Sequence, residues 1–241
     1  MKDILRPLRA ESLKEVFITR FEELILTGKI SIGQKLPPER DLALQLGVSR
    51  PVVHEGLVEL AARGLVSMKP RKGTVVNDYR RQGSLAILNS LINYRSGNLE
   101  HELLEGLLQT RVLIEVETTR LASISRSEEH LDAFKKILSN EDSISCGDIN
   151  AITRLDFKFH HLIGIASGNL VYPLLINSFK PVYMNFTSLF FTDKTVIPAT
   201  FAFHKELVRA ISAKDQLLSI SIMRKILDHG ERHLREILSQ K

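Results

Sequence analysis

The chain has 241 residues, of which 44% are hydrophobic and 25% are charged, a balance typical of a globular protein and too apolar for a disordered one. Its length favours two compact domains. No stretch approaches the roughly 18 consecutive apolar residues of a membrane span, and the charged first 14 residues lack the apolar core of a signal peptide, so we expect a cytoplasmic protein. Cys146 is the only cysteine, which excludes an internal disulfide and a thiolate metal cluster within one chain.

The positive charge is concentrated at one end of the chain. Residues 1–81 carry 15 Lys and Arg against 10 Asp and Glu, so the whole net charge of +5 lies in the first third. This asymmetry indicates that the N-terminal part meets a polyanion and that the rest of the chain does not.

Three short helices are predicted first. Ser12 and Glu15 have the spacing of a capping box, and apolar residues then recur at helical spacing until Gly28. Two prolines precede a second helix, which ends at Gly47, and Ser49 is placed to cap a third. The predicted helices span residues 13–27, 39–46 and 49–63.

A small β-hairpin is predicted next. Residues 65–68 and 74–76 have the pattern of two short strands, and the basic turn Lys-Pro-Arg-Lys-Gly at 69–73 joins them. Three helices followed by such a hairpin predict a winged helix-turn-helix, whose third helix normally enters the major groove of DNA.

The remainder of the chain is predicted to be all helical. Helices are expected near 85–96, 100–125, 127–140, 148–167, 171–192, 199–213 and 215–239, with breaks at Gly97-Asn98, Gly147, Gly168-Asn169 and Pro198. The predicted fold is therefore mainly α, with an N-terminal winged helix-turn-helix with a two-stranded wing (8–78), a linker (79–84) and a C-terminal all-α helical bundle for effector binding and dimerisation (85–241).

Several motifs resemble the GntR family of bacterial transcriptional regulators. They are Leu36-Pro37-Pro38-Glu39-Arg40-Asp41-Leu42-Ala43, Leu46-Gly47-Val48-Ser49-Arg50 and Gly64-Leu65-Val66. Further motifs resemble the helical ligand-binding domain of the FadR branch, namely Arg111-Val112-Leu113-Ile114-Glu115, Asp156-Phe157-Lys158-Phe159-His160, Ala166-Ser167-Gly168-Asn169 and His204. The resemblance covers almost the entire chain and implies a homodimer that binds a palindromic operator under the control of a small ligand.

The resemblance implies a set of DNA contacts: Arg40, Ser49, Arg50, His54, Pro70, Arg71 and Lys72. Arg50 lies in the first turn of the third helix, where a guanidinium can bind guanine O6 and N7 together. Ser49 and Arg40 are better placed for phosphate, which fixes register without reading sequence. His54 stands where the family usually has Arg, and Arg71 where the wing often has Gly, so the operator preference can differ from the common one.

A metal site is one interpretation of the C-terminal motifs. Asp156 and His160 are four residues apart and share a helix face, and His204 arrives from another helix, so the three can bind a divalent metal such as zinc. In the metal-binding members of the branch a fourth ligand, a histidine, is expected at the position of Ile226, and His229 is the nearest candidate here. The alternative is a local hydrogen-bonded pair, with His204 as a helix cap or a core residue.

The effector itself is predicted only by chemical class. Arg111 and Glu115 are spaced for an intrahelical ion pair, yet Arg111 also suits a carboxylate or phosphate, so a small acidic effector is expected at Arg111, Asp156, His160, Tyr183 and His204. The aromatic series from Tyr172 to Phe191 is more often core, but its bulk suits an acyl chain. The alternative is therefore a regulator of lipid metabolism that binds a fatty acyl-coenzyme A without a metal.

Two other classes of protein are weighed against a regulator. An enzyme is not expected, because the chain has no nucleophile elbow, no phosphate-binding glycine loop and no Cys paired with a nearby His. An interaction adaptor that does not bind DNA is a remote alternative. The basic wing and Arg50 argue against it.

Overall fold

A computed structural model of the chain describes residues 12–93 and 98–239. The chain forms two compact units that divide between Ser96 and Gly97. Three predictions fall partly outside the described residues: the start of the DNA-binding domain at residues 8–11, the end of the predicted helix 85–96, and the predicted break at Gly97.

The first helix, α1 (Leu13–Leu26), begins at the predicted capping box. The Glu15 amide donates to the Ser12 hydroxyl at 3.2 Å, and the Ser12 amide donates to the Glu15 carboxylate at 3.2 Å. Phe17 and Phe21, one turn apart, stack with ring centroids 4.3 Å apart and are buried. The amphipathic pattern thus places one face of α1 in the core of the N-terminal unit.

The helix-turn-helix consists of α2 (Glu39–Leu46) and α3 (Arg50–Ala62). Gly47 ends α2 in the left-handed conformation, with φ at +65°, which glycine adopts without strain. α3 crosses α1 closely, because a Cβ atom at Gly56 would lie only 2.3 Å from the Phe17 ring. Any larger residue at Gly56 would push the recognition helix away from its support.

The wing is a hairpin of β1 (Val66–Lys69) and β2 (Gly73–Val76). The strands pair antiparallel, with Val66 opposite Val76 and Lys69 opposite Gly73, and their bounds agree with the prediction to within a residue or two. Lys35 forms a single antiparallel bridge to Val75. The chain before α2 therefore supports the wing from one side.

Residues 77–93, the connecting segment, return across the end of α3. They contain α4 (Tyr79–Gln82) and α5 (Ile87–Asn93). The Asn77 side-chain amide donates to the Gly64 carbonyl at 3.1 Å, and the Ser84 amide donates to the Arg63 carbonyl at 3.1 Å. A Cβ atom at Gly64 would lie 2.0 Å from the Gln82 carbonyl oxygen, so only glycine permits this approach.

The connecting segment differs from a simple linker over 79–84. Residues 79–84 contain a short helix, and α5, which was assigned to the C-terminal domain, contacts α1 in the N-terminal unit. The reason is burial: Ile87 and Leu91 of α5 are 5% and 7% exposed. Apolar periodicity predicts that a helix is buried but not which partner buries it.

The described residues of the C-terminal unit form only helices and the loops that join them. Its helices are α6 (Asn98–Ser125), α7 (Glu128–Ser143), α8 (Ile149–Ala166), α9 (Val171–Ser178), α10 (Lys180–Phe190), α11 (Val196–Ser212) and α12 (Gln216–Ser239). No helix among the described residues is long and apolar enough to cross a membrane.

Two predicted helices have different bounds. The helix expected at 171–192 is two helices that meet at Phe179, because Pro181 has no N–H to donate to a carbonyl of the preceding turn. The helix expected at 199–213 begins at Val196, so Pro198 lies inside its first turn, where a missing N–H costs nothing. The predicted helix at 171–192 thus missed the boundary beside Pro181, and the predicted break at Pro198 lies inside the first turn of a helix.

The core of the C-terminal unit lies between α6, α7, α8, α11 and α12. Its largest fully buried side chains include Phe134, Phe159, Leu207 and Met223. Replacing one buried Phe by Ala in such a core costs about 3 to 5 kcal/mol. This packing fixes the helices that carry the polar groups of the candidate effector site.

Candidate functional site

All seven residues predicted to contact DNA are exposed in the N-terminal unit. Arg50 begins α3, and Ser49 occupies the N-cap position but makes no side-chain capping hydrogen bond. Its hydroxyl is therefore free for another acceptor or donor, which agrees with the predicted phosphate contact. Arg40 is 77% exposed and lies 3.6 Å from Asp41, a surface pair that leaves most of the guanidinium in solvent.

The turn of the wing has a strained residue at its centre. Arg71 has φ at +62°, in the left-handed region that a side chain disfavours. Glycine would adopt this conformation without the steric penalty of a Cβ atom. The chain therefore retains a guanidinium at the tip of the wing at the expense of local backbone strain.

Lys35 is a further cation beside the wing, which the sequence analysis did not single out. It is exposed, and a Cβ atom at Gly73 would lie 2.8 Å from its Cε atom. It lines a surface pocket together with Glu39, Lys69 and Arg71. Its bridge to β2 is a long-range pairing, and for this reason the local sequence carried no signal for it.

A buried polar clamp ties the end of α3 to the connecting segment. It consists of Glu22, Arg63 and Ser90, which belong to α1, the end of α3 and α5. Arg63 donates to the Glu22 carboxylate at 2.5 Å and to the Ser90 hydroxyl at 3.2 Å, and Ser90 donates to Glu22 at 2.8 Å. The Glu22 side chain is 10% exposed and the Arg63 side chain 23% exposed. The recognition helix and α5 are thus held by one charged network.

The C-terminal unit brings Asp156, His160 and His204 together as a three-donor cluster. One donor atom from each residue lies within 4.8 Å of the other two, and the residues are 3%, 2% and 0% exposed. The Asp156 Oδ1 atom is 3.6 Å from His204 Nε2 and 4.0 Å from His160 Nε2. Neither Nε2 atom has a hydrogen-bond partner among the described residues, although both are buried.

Two carboxylates lie behind the histidines of this cluster. Glu141 pairs with His204 Nδ1 at 2.7 Å, and Glu115 contacts His160 Nδ1. Because a carboxylate accepts hydrogen bonds, Glu141 requires a proton on Nδ1 of His204 and leaves Nε2 as the atom facing Asp156. Sequence reasoning missed Glu141, although it lies seven residues after Phe134 on the buried face of α7, and this position is the signal that could have found it.

Arg111 and Tyr183 extend the polar network on the other side of Asp156. Arg111 Nε donates to Glu115 at 2.6 Å, as expected from their spacing, and its Nη2 donates to the Tyr183 hydroxyl at 3.3 Å. The Tyr183 hydroxyl in turn donates to Asp156 Oδ2 at 2.5 Å. All predicted effector residues thus belong to one connected group.

Burial and charge shape the ionisation of this group. Burial alone would raise the pKa of the Glu115 carboxyl, but Arg111 and then His160 overcome it and lower the pKa to about 2. Burial, followed by the Asp156 carboxylate, raises the pKa of the Tyr183 phenol well above its usual range. Glu115 is therefore an anion and Tyr183 a neutral donor across the physiological range.

An apolar cavity opens onto the polar group. Its polar end has Arg111, Glu115, His160 and Tyr183, and the rest is lined by Leu104, Leu107, Leu108, Thr110, Ile114, Ile176, Phe179, Val182, Phe186, Thr187 and Leu234. The predicted aromatic series is divided between two roles: Phe179, Tyr183 and Phe186 line the cavity, whereas Phe190 and Phe191 pack in a core cluster.

The fourth position of the expected metal set is apolar. Ile226 is 6% exposed and packs in the main core cluster. His229 lines a smaller cavity together with Asp156, His160 and Ile226, but it is not part of the three-donor cluster within the described residues. Burial, with neighbouring His233, lowers the pKa of His229, so the ring is neutral at physiological pH.

Comparison with known families identifies the class of protein that this fold and these sites define. The family described as "Bacterial regulatory proteins, gntR family" matches residues 14–76, and the "FadR C-terminal domain" matches residues 77–239. The chain belongs to the GntR family and carries a FadR-type C-terminal domain. It is a DNA-binding transcriptional regulator with an effector-binding domain and not an enzyme, as the sequence analysis predicted.

Two curated relatives agree with this assignment. The HTH-type transcriptional regulator Mce2R of Mycobacterium tuberculosis is 31% identical over 216 residues, which are 88% of this chain and 87% of that protein. The fatty acid metabolism regulator protein of Shewanella baltica is 29% identical over 213 residues, or 88% and 86% of the two chains.

The fold is shared with two more distant structures. The Listeria monocytogenes regulator Lar, which controls expression of the agr system, aligns with a TM-score of 0.63 at 15% identity, covering 95% of this chain and 99% of that chain. E. coli McbR/YncC aligns with a TM-score of 0.52 at 17% identity, covering 94% and 99%. The matched domain border at residues 76 and 77 differs from the division at Ser96, so the predicted domain bounds stay a prediction.

Proposed function

We propose that the protein acts in the cytoplasm as a homodimer on a palindromic operator, and that a carboxylic acid with an apolar chain controls its binding. The observation that carries the effector half of this proposal is the continuity between the buried polar group and the apolar cavity. An acid with one charged end and one apolar end matches both surfaces.

The DNA half rests on the exposed cations of α3 and the wing. One recognition helix reads few base pairs, so a two-fold dimer on a two-fold site is the usual solution. In this arrangement Arg50 reads guanine, Ser49, Arg40 and Lys72 bind phosphate, and His54, Pro70 and Arg71 complete the contact surface. Size-exclusion chromatography with light scattering tests the dimer, and a monomer in both the presence and absence of operator DNA would contradict it.

Arg111 is the proposed anchor for the acid. Its Nε and Nη2 atoms donate hydrogen bonds to Glu115 and Tyr183, while its Nη1 atom makes no hydrogen bond to the described residues. The guanidinium therefore keeps donors for a carboxylate while its own position is fixed. The apolar chain would then lie against the leucines of α6 and the aromatic residues of α10. The name of the Shewanella relative, a fatty acid metabolism regulator, supports an effector of this chemistry.

The three-donor cluster fits a divalent metal such as zinc. Two imidazole nitrogens and a carboxylate oxygen are the ligand types that zinc prefers, and both Nε2 atoms are buried without a partner. Glu141 and Glu115 occupy the places of the carboxylates that orient metal-bound histidines. A metal at Asp156, His160 and His204 would supply positive charge for the carboxylate of the effector. Because Ile226 cannot donate, such a set has three protein ligands and retains metal less tightly than a set of four.

Calorimetry with decanoate as the probe tests this proposal, with and without zinc chloride. Zinc and decanoate are expected to strengthen each other's binding by the same factor, since coupling between two ligands is reciprocal. His160→Ala and His204→Ala should each weaken zinc binding by about tenfold or more. His161→Ala is the matched control, because His161 follows His160 on the same helix but stacks on Phe157 with ring centroids 5.7 Å apart.

Titration of the complex with operator DNA separates the proposal from its alternative. Release of the DNA by decanoate from the wild type, and no release from Arg111→Ala, supports the acid effector. Release by decanoyl-coenzyme A alone, with zinc content unchanged in both histidine variants, would contradict the metal-assisted acid and favour the acyl-coenzyme A sensor.

A further inference from the structure

His54 lies on the exposed face of the recognition helix, one turn after Arg50. Its ring is 56% exposed, and its Nδ1 atom is 2.9 Å from the Glu39 carboxylate on α2. One edge of the ring is thus bound to the protein, while most of the side chain remains accessible from the face that carries Arg50.

The contact with Glu39 decides which ring nitrogen carries the proton. A carboxylate can only accept a hydrogen bond, so Nδ1 must be the donor. In a neutral imidazole the other nitrogen, Nε2, then has no proton and is an acceptor. An arginine presents donors alone and binds the acceptors O6 and N7 of guanine. In this tautomer the His54 ring presents an acceptor to the groove, which is the opposite hydrogen-bonding polarity to that of an arginine.

We infer that His54 is a specificity-determining residue that reads an exocyclic amino group, on adenine N6 or cytosine N4, through Nε2. Glu39 is its positioning residue, because it fixes the proton on the opposite nitrogen. The inference rests on the proposed entry of α3 into the major groove. Adenine and cytosine are the two bases that present an amino donor there, so one acceptor atom is enough to distinguish them from guanine and thymine.

Charged side chains surround the pair of His54 and Glu39. Glu39 faces the ring from α2, and Arg50 and Glu55 are the charged neighbours along α3. On its other side Glu39 lines the pocket that contains Lys35, Lys69 and Arg71 of the wing region.

A binding selection from an operator library, randomised across each half-site, tests the inference. For the wild type at pH 8 one position should prefer adenine or cytosine, and His54→Arg should change that position to guanine by about 5- to 150-fold. Glu39→Gln should weaken the wild-type preference, since an amide can either accept from or donate to Nδ1. Glu55→Gln is the matched control, because its carboxylate makes no hydrogen bond to His54 among the described residues, and it should leave the preference unchanged.

A further measurement keeps the base-reading role separate from a structural one. The ¹⁵N shifts of the His54 ring should report a proton on Nδ1 and none on Nε2, and this signature should be lost in Glu39→Gln.

The failure of this inference is distinguishable from failure of the DNA-contact proposal. If Arg50→Ala relaxes one base while no His54 variant alters any base preference, α3 reads DNA and the inference about His54 is overturned. If neither Arg50→Ala nor His54→Arg changes sequence preference, the entry of α3 into the groove is itself wrong.

Discussion

Arg63→Met is expected to destabilise the N-terminal unit by about 3 kcal/mol. The substitution leaves the Glu22 carboxylate buried with only the Ser90 hydroxyl as a donor within the polar clamp. Breaking a buried ion pair by removing one partner typically costs about 3 to 5 kcal/mol. The lower end of that range applies because the Arg63 side chain keeps 23% of its surface in contact with solvent and because the methionine retains most of the apolar stem.

Two variants provide controls for this prediction. Glu59→Gln removes the other carboxylate bonded to Arg63, but Glu59 is 44% exposed, so the expected cost is below about 1 kcal/mol. Replacing Glu22 by Leu together with Arg63→Met removes both buried charges and should recover most of the lost stability.

Native-state hydrogen exchange measured by mass spectrometry gives the local free energies directly. Peptides from α1, α3 and α5 should lose protection in Arg63→Met, whereas peptides from α8 in the other compact unit serve as the internal reference. Equal, small effects of Arg63→Met and Glu59→Gln, or a double variant less stable than Arg63→Met, would contradict the stabilising role of the clamp.

Three further predictions concern the wing, the recognition helix and the effector site. Arg71→Gly should raise the free energy of unfolding by up to about 1 kcal/mol in thermal unfolding, because glycine relieves the left-handed strain. It should also reduce the slope of log K for DNA binding against log salt concentration by about one. Unchanged stability would contradict the strain. Arg50→Ala should cost about 1 to 3 kcal/mol on the specific site, whereas Lys72→Ala should weaken all sequences alike in fluorescence-anisotropy titrations. Glu141→Gln should reduce zinc retention by about 10- to 100-fold, because Glu141 orients His204. Asp142→Asn is the control and should have no effect, since Asp142 accepts a hydrogen bond from Lys205 and not from His204. Equal zinc retention in both variants would exclude the orienting role of Glu141.

Local signals were the most reliable guide from sequence to fold. The capping box at Ser12 and Glu15 and the left-handed glycine after α2 depend on residues within one turn, so their chemistry is readable directly. The wing was recognised for the same reason, since a basic turn between two β-branched runs specifies a hairpin locally. The family resemblance then identified the residues of the three-donor cluster, which lie on two helices, α8 and α11.

Features that depend on long-range packing could not be predicted. Glu141 reaches His204 across 63 residues of sequence, and Glu22 reaches Ser90 across 68. Both glutamates lie on the buried faces of their helices, α1 and α7. That position predicts burial but not the partner, and charged residues are rarely buried unless they are paired. The packing partner of α5 could not be predicted for the same reason, because its apolar face is compatible with either domain until the partner is known.

The close approach of residues 77–93 to the end of α3 has a consequence for dissecting and recombining this protein. A fragment ended at Val76, where the matched GntR region stops, would remove the groups that satisfy the last carbonyls of α3 and would uncover the surface beneath Ile87 and Leu91. Chimeras that exchange effector domains between relatives should accordingly be joined after Asn93, so that each DNA-binding domain keeps its own connecting segment. The exchangeable module is therefore longer than the stretch by which the family is recognised.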